Sequence, residues 1–224
     1  MKRETFNTII ALLGLALAAF STFNQLRPEK DVLDFSTQAG FDSKDYFKLA
    51  RQANLPKEIF GENTKLAGPA FIRLEIANNM NRPVTVKKIN LTFINKNNNE
   101  LFYSSLFDGE GGSDAFLSNI PVTLAEHTVK NINMSINIPI FYKEDFAECF
   151  ENKRILKGEN KSVNEVEYCY YSKGKDLIGN AINMQEFKNG GVIITKNEQS
   201  KALNYKVTLI TGDNTEISRM ATIH

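Results

Sequence analysis

The chain has 224 residues and a formal net charge of +1, from 27 Lys and Arg against 26 Asp and Glu. That balance, with no basic stripe interleaved with aromatics, excludes the electrostatic footprint of a nucleic-acid binder. The length suffices for one ordinary domain with its own apolar core, with no need of a metal or disulfide staple.

No charged residue lies between Glu4 and Arg27, and most of the intervening positions are Ile, Leu, Ala or Phe. As a helix, the uncharged run from Thr5 to Leu26 would extend roughly 33 Å, enough to cross a hydrocarbon core of about 30 Å. Residues 1–27 therefore predict a single transmembrane helix serving as a membrane anchor. Lys2 and Arg3, the apolar run Ile9 to Leu15 and the small residues of Ala16-Leu17-Ala18 also fit a signal peptide cut before Ala19. Against that cut, the apolar character continues through Phe20 and Phe23. The short basic N-terminus favours N-inside, C-outside, which puts the remainder outside the cytoplasm, in the periplasm of a bacterium. Ala11, Gly14 and Ala18 share one helical face and form a candidate helix–helix seam, although a lipid-facing stripe gives the same pattern.

Residues 28–66 read as a linker with a short helix. Val32, Leu33 and Phe35 suit a first strand or an extended linker. Asp42 or Ser43 caps an expected helix through Tyr46, Phe47, Leu49 and Ala50, ending before Pro56. A β-sandwich-like domain is expected over 67–224. Ile72, Leu74 and Ile76 alternate with Phe71, Arg73 and Glu75 before the turn-forming run Asn78-Asn79-Met80-Asn81. After Pro83, Val84 and Val86 point inward; Lys87 and Lys88 then stand side by side, and the alternation resumes one step out of phase at Ile89, Leu91 and Phe93. A strand must keep its apolar set on one face, so the doubled lysine predicts a β-bulge or a bend. Asn95 to Asn99 then turns into Leu101 to Leu106.

The loop from Asp108 to Asp114 holds three carboxylates, Asp108, Glu110 and Asp114, among flexible glycines. It is the one local cluster that suggests a ligand, a calcium ion by its oxygen donors, yet its spacing matches no EF-hand. A solvated or partner-touching loop has the same composition. Beyond it, Ile132, Met134, Ile136 and Ile138 alternate with Asn131, Asn133, Ser135 and Asn137 in the cleanest strand pattern of the chain. The succession from Phe71 to Pro139 resembles the immunoglobulin-like β-sandwiches of membrane-anchored bacterial proteins. The resemblance covers about a third of the chain and implies a mainly β fold, an immunoglobulin-like sandwich with one or two short helices, and no functional residues. The Cys and Trp hallmark of true immunoglobulin domains is missing, since there is no Trp and both cysteines come later.

From about residue 141 the pattern allows a C-terminal β subdomain. A short helix is expected over Tyr142 to Ile155, with Phe146, Cys149 and Phe150 on one face. Glu165 to Tyr171 reads as a strand turning at Lys173-Gly174-Lys175 into Leu177 to Met184, followed by the short run Val192 to Thr195. Tyr205, Val207 and Leu209 begin a hairpin that turns at Gly212-Asp213-Asn214 and returns through Ile217 and Ile223.

No nucleotide-binding, hydrolase or metalloprotease motif occurs, so no catalytic, cofactor or metal residue is assigned. His127 at a strand entrance and His224 at the chain end read as structural or solvated. Cys149 and Cys169 are the two cysteines; outside the cytoplasm a disulfide between them is expected, with buried thiols as the alternative. The aromatics Tyr142, Phe146, Phe150, Tyr168, Tyr170 and Tyr171 suit core packing or an exposed recognition patch. Together these features predict a single-pass, non-enzymatic interaction or assembly module outside the cytoplasm, whose partners are the membrane and a protein, or a second copy met through anchor or sheet. Two other functions fit the same sequence: an envelope-acting hydrolase using the carboxylates of the 108–114 loop, and a cytoplasm-facing accessory subunit of a membrane complex.

Overall fold

The computed structural model describes residues 14, 15, 17, 29–42, 46–50, 60–94, 100–101, 120–151, 161–187, 190–196 and 200–224. The chain divides into two compact units, Met1–Asp31 and Val32–His224. In the first, Gly14, Leu15 and Leu17 are helical. The expectation of a transmembrane helix is corrected here, because among the described residues no helix is long and apolar enough to cross a membrane. A single span needs about 20 consecutive apolar helical residues. The rest of the apolar run, with Ala11 and Ala18 of the proposed seam, lies outside the described residues.

The second unit is mainly β. Its strands in chain order are β1 (Asp34–Gly40), β2 (Lys48–Leu49), β3 (Thr64–Asn78), β4 (Val84–Ile94), β5 (Glu100–Leu101), β6 (Val122–Leu124), β7 (Thr128–Phe141), β8 (Ile182–Glu186), β9 (Val192–Lys196), β10 (Leu203–Thr211) and β11 (Glu216–Ile223). In one sheet β3 is central and antiparallel to all its neighbours, with β7 along one edge and β1 and β2 sharing the other. The other sheet runs β11-β10-β4, and β6 and β5 share the far edge of β4. The alternating apolar positions decide which faces meet. Ile72, Leu74 and Ile76 of β3, Met134 and Ile136 of β7, Leu91 of β4 and Tyr205, Val207 and Leu209 of β10 all belong to one buried cluster. Two sheets sharing one core in this way are consistent with a β-sandwich.

Two bulges adjust the sheets. The β4–β10 register passes from Lys88 opposite Ile210 to Val86 opposite Thr211, leaving Lys87 over, and both lysines are exposed. This is the bulge expected where two adjacent lysines break a period of two. A second lies in β3, whose pairing with β7 steps from Ala67 opposite Ile138 to Ala70 opposite Ile136. Pro69 sits in that step, where its missing N–H costs no ladder bond. Gly68 is required beside it: a Cβ there would lie 2.5 Å from the Asn137 Oδ1 and 2.8 Å from the Ile136 carbonyl oxygen.

The sandwich is tied at its margins. Thr37 Oγ1 of β1 donates to the Met220 carbonyl of β11 at 2.7 Å. At the other margin Asn78, buried at the end of β3, donates from Nδ2 to the carbonyls of Arg82, Leu124 and Ala125 at 2.9, 3.2 and 2.9 Å, and its Oδ1 accepts from Met80 N at 3.0 Å. One side chain thus joins the β3–β4 turn to the β6–β7 turn.

Two local expectations are corrected, and a third is met in part. Residues 46–50 are not helical; β2 pairs there with β3, within the stretch expected to be a linker, and Phe47 is buried. Glu165 to Tyr171 is not a strand but part of an α-helix, α1 (Val163–Ser172). Ser162 caps it in a reciprocal box with Glu165, satisfying two otherwise unpaired N–H groups, and Val163, Val166 and Tyr170 form its buried stripe. Over 144–149 the chain forms a 3-10 helix, Glu144–Cys149, with the expected residues Phe146 and Cys149 buried.

Candidate functional site

The features outside the sandwich converge on α1 and the β8–β9 hairpin. Cys149 and Cys169 form a disulfide with Cα atoms 5.6 Å apart, bonding the 3-10 helix to α1. Around it Phe146 packs on Tyr170 with ring centroids 4.5 Å apart, and Phe150 meets Tyr170 edge to face at 6.2 Å. The Tyr170 hydroxyl donates to the Phe141 carbonyl at 2.7 Å, and burial pushes its pKa up. Phe146 and Tyr170 are therefore core residues, whereas Tyr168, 48% exposed, reaches outward to hydrogen bond the Glu186 carboxylate on β8.

On a neighbouring face of α1, Glu167 and Tyr171 stand one turn apart and share a hydrogen bond. Burial raises the Glu167 carboxyl above its usual range, and the Asp176 charge raises it further against the opposing effect of Lys196. The Tyr171 phenol is pushed up to about 12, first by burial and then by Glu167 and Asp176. Asp176 is itself buried, and its carboxylate accepts from Ile178 N at 3.0 Å, Asn180 N at 2.8 Å and Asn180 Nδ2 at 2.7 Å. Lys196 of β9 lies 3.6 Å from its second oxygen. Asn180 continues the network by donating to the Lys201 carbonyl at 3.0 Å and accepting from Lys201 N at 2.6 Å. Chemically the cluster holds two carboxylates, a phenol that stays protonated at neutral pH and one ammonium. Among the described residues no group of three or more His, Cys, Asp or Glu is placed to hold a metal. Its visible work is positional: it fastens the 176–180 loop, the start of β10 and the end of β9 beneath α1.

The hairpin so fastened is the exposed part. β8 and β9 form a two-stranded sheet of their own. Every residue of β9 is exposed, including Val192 at 39%, Ile193 at 53% and Ile194 at 42%. Phe187 at the end of β8 adds 43%. Consecutive apolar residues on both faces of a strand normally signal a strand buried on both sides. Here they face solvent.

Among the residues singled out from sequence, the structure brings Cys149 and Cys169 together. Asp108, Glu110 and Asp114 lie outside the described residues, so the ligand loop stays an expectation. Gly14 is helical, and a Cβ built on it would meet nothing within 4 Å. His127 occupies the turn before β7 with φ 53°, its Nε2 2.8 Å from the Asn81 Oδ1. The Glu167–Lys196 cluster carries no local motif, because its members lie on α1, a loop and a strand. Its one sequence-level clue was the Ser162-x-x-Glu165 box, which would have placed Glu167 and Tyr171 one helical turn apart. No protein-family model and no curated protein matches the chain.

Proposed function

We propose that the Val32–His224 unit is a non-enzymatic interaction or assembly module that works outside the cytoplasm. The observation that carries the reading is β9, an apolar strand exposed on both faces and held in a fixed position. An exposed strand edge offers unpaired backbone groups to another chain, and strands of this kind are otherwise blunted, covered or charged. The cystine supports the compartment, since disulfides persist in oxidising environments.

Two measurements test the two halves of this reading. With a photo-crosslinking amino acid at Ile193, irradiation of intact cells should yield a crosslinked adduct; a chain that stays uncrosslinked would remove the interaction reading. Alkylation of protein trapped in intact cells, with and without reduction, should label Cys149 and Cys169 only after reduction. Two thiols that alkylate without reductant would overturn the extracytoplasmic assignment.

A further inference from the structure

The partner of β9 can be inferred from its hydrogen-bond phase. Phe187 N donates to the Gly191 carbonyl at 2.8 Å and Gly190 N to the Phe187 carbonyl at 2.9 Å, with Gly190 at φ 82°. Counting from that closing pair, hydrogen-bonded and non-hydrogen-bonded pairs alternate along an antiparallel ladder. Ile193 opposite Gln185 and Thr195 opposite Asn183 then point their backbone groups at β8. The N–H and C=O groups of Val192, Ile194 and Lys196 point away from it. Ile182 N gives independent support: paired opposite Lys196, it turns away from β9 and donates to the Gly174 carbonyl at 3.0 Å. Among the described residues β9 pairs with β8 alone.

We propose that this edge binds the same edge of a second copy of the chain, antiparallel, about a two-fold axis midway between the two Ile194 residues. The inference deepens the interaction reading and rests on it. Three properties select the second copy. The outward groups at 192, 194 and 196 are symmetric about Ile194, so Ile194 meets its own counterpart and Val192 meets Lys196 of the partner subunit in hydrogen-bonding phase. Side chains directly opposite share a face, so Met184 and Ile194 of the two copies would line up as one continuous apolar row. The charges also agree: on that face Glu186 lies opposite Val192, so the row continues to Lys196 of the partner subunit, and no like charges face each other. A parallel alignment would set lysine against lysine, which is unfavourable. The lysine that would ordinarily guard such an edge is drawn down onto Asp176 instead.

The experiment uses the full chain with single cysteines introduced on the edge. In the proposed register the two residues 194 are a hydrogen-bonded pair with Cα atoms about 5.5 Å apart, inside the range a disulfide spans. Positions 192 of the two copies are displaced by about 14 Å along the strands and cannot bridge. I194C should therefore oxidise to a covalent dimer, and V192C should form no covalent dimer under the same conditions. Sedimentation of the unmodified chain, which needs no variant to fold, should show the mass rising toward twice the monomer value with concentration; I194K should abolish that rise. A wild-type mass that stays monomeric, or equal crosslinking at both positions, overturns the two-fold pairing. If the Ile193 probe captures a different protein in cells while the purified chain stays monomeric, the homodimer fails and the interaction reading stands.

Discussion

Replacing Asn78 by Leu tests how the margin of the sandwich is held. Leucine keeps the branched four-heavy-atom outline of asparagine, so the change deletes the hydrogen bonds while keeping the shape, its methyl groups being bulkier than the amide atoms they replace. Asn78 is fully buried, and its amide reaches the carbonyls of Arg82, Leu124 and Ala125 while its oxygen accepts from Met80 N. An amide nitrogen carries two hydrogens, so these donor contacts amount to two full bonds, and the accepted bond makes a third. At about 1 kcal/mol net for each, Asn78→Leu should cost about 3 kcal/mol. For a domain of this size that lowers Tm by about 6–12 °C. Asn78→Asp should cost more, because a carboxylate would then face three carbonyl oxygens with no hydrogen to give. Asn79→Ala, one position on and exposed, should stay within about 0.5 kcal/mol of wild type. Thermal melts followed by circular dichroism in the β region measure all three. An Asn78→Leu protein melting within about 2 °C of wild type would refute the reasoning, since the two turns would then be held by something other than this side chain.

At the β3 bulge, Gly68→Ala should destabilise by about 1–3 kcal/mol, because the added Cβ meets the Ile136 carbonyl, a backbone atom that cannot swing aside. Chemical denaturation reads this as a lower midpoint at unchanged slope, and an unchanged midpoint would mean that β3 and β7 separate easily there. Glu167→Gln should alter the pH dependence of stability. Because burial raises the Glu167 pKa above 4.5 in the folded chain, the native state holds that proton more tightly than the unfolded state does. Its favourable contribution is present at low pH and is lost as pH rises from 4.5 through the raised value. The Gln variant should therefore gain Tm relative to wild type at neutral pH, with the gain shrinking as the pH falls toward 4.5; a pH-independent difference would contradict the assignment.

The sheets were legible because alternation is a strong local signal. Phe71 to Ile76 and Asn131 to Ile138 read as strands, and they became β3 and β7. Even the bulge at Lys87 and Lys88 followed, since two adjacent lysines cannot both face a core. The reading failed where two periods fit the same residues. Val166, Tyr168 and Tyr170 alternate like a strand, but Val163, Val166 and Tyr170 also repeat like a helix, and the Ser162 and Glu165 cap decides for the helix. At 46–50 a cap-like Asp and Ser before an apolar stripe suggested a helix, yet β2 gains hydrogen bonds by pairing with the edge of β3 while Phe47 enters the core. Asn78 read as turn punctuation, and nothing local revealed that its amide would be buried against carbonyls from two separate turns. The Glu167–Lys196 cluster was invisible for the same reason: Lys196 is distant in sequence, and the fold alone brings it to Asp176.

The hairpin is the part of the fold whose residues and environment disagree most, and how it is held argues for its use. A two-stranded hairpin is marginal by itself in water. β8–β9 keeps its place through the Tyr168 bond to Glu186, the Lys196 pairing with Asp176 and the Ile182 bond to the Gly174 carbonyl. Two of these tethers lead back to α1 and the turn that ends it, and α1 is itself fixed by the Ser162 cap and by the disulfide to Cys149. The chain thus spends a capped helix, a cystine and a buried Asp–Asn network to orient a strand whose apolar side chains remain in water. If stability alone governed the arrangement, polar residues at Val192, Ile193 and Ile194 would serve β9 equally well and would remove an aggregation-prone edge. An apolar edge that is pinned in place, with its guarding lysine turned away, is what a binding strand requires, because pre-ordering it lowers the entropy lost when a second strand pairs with it.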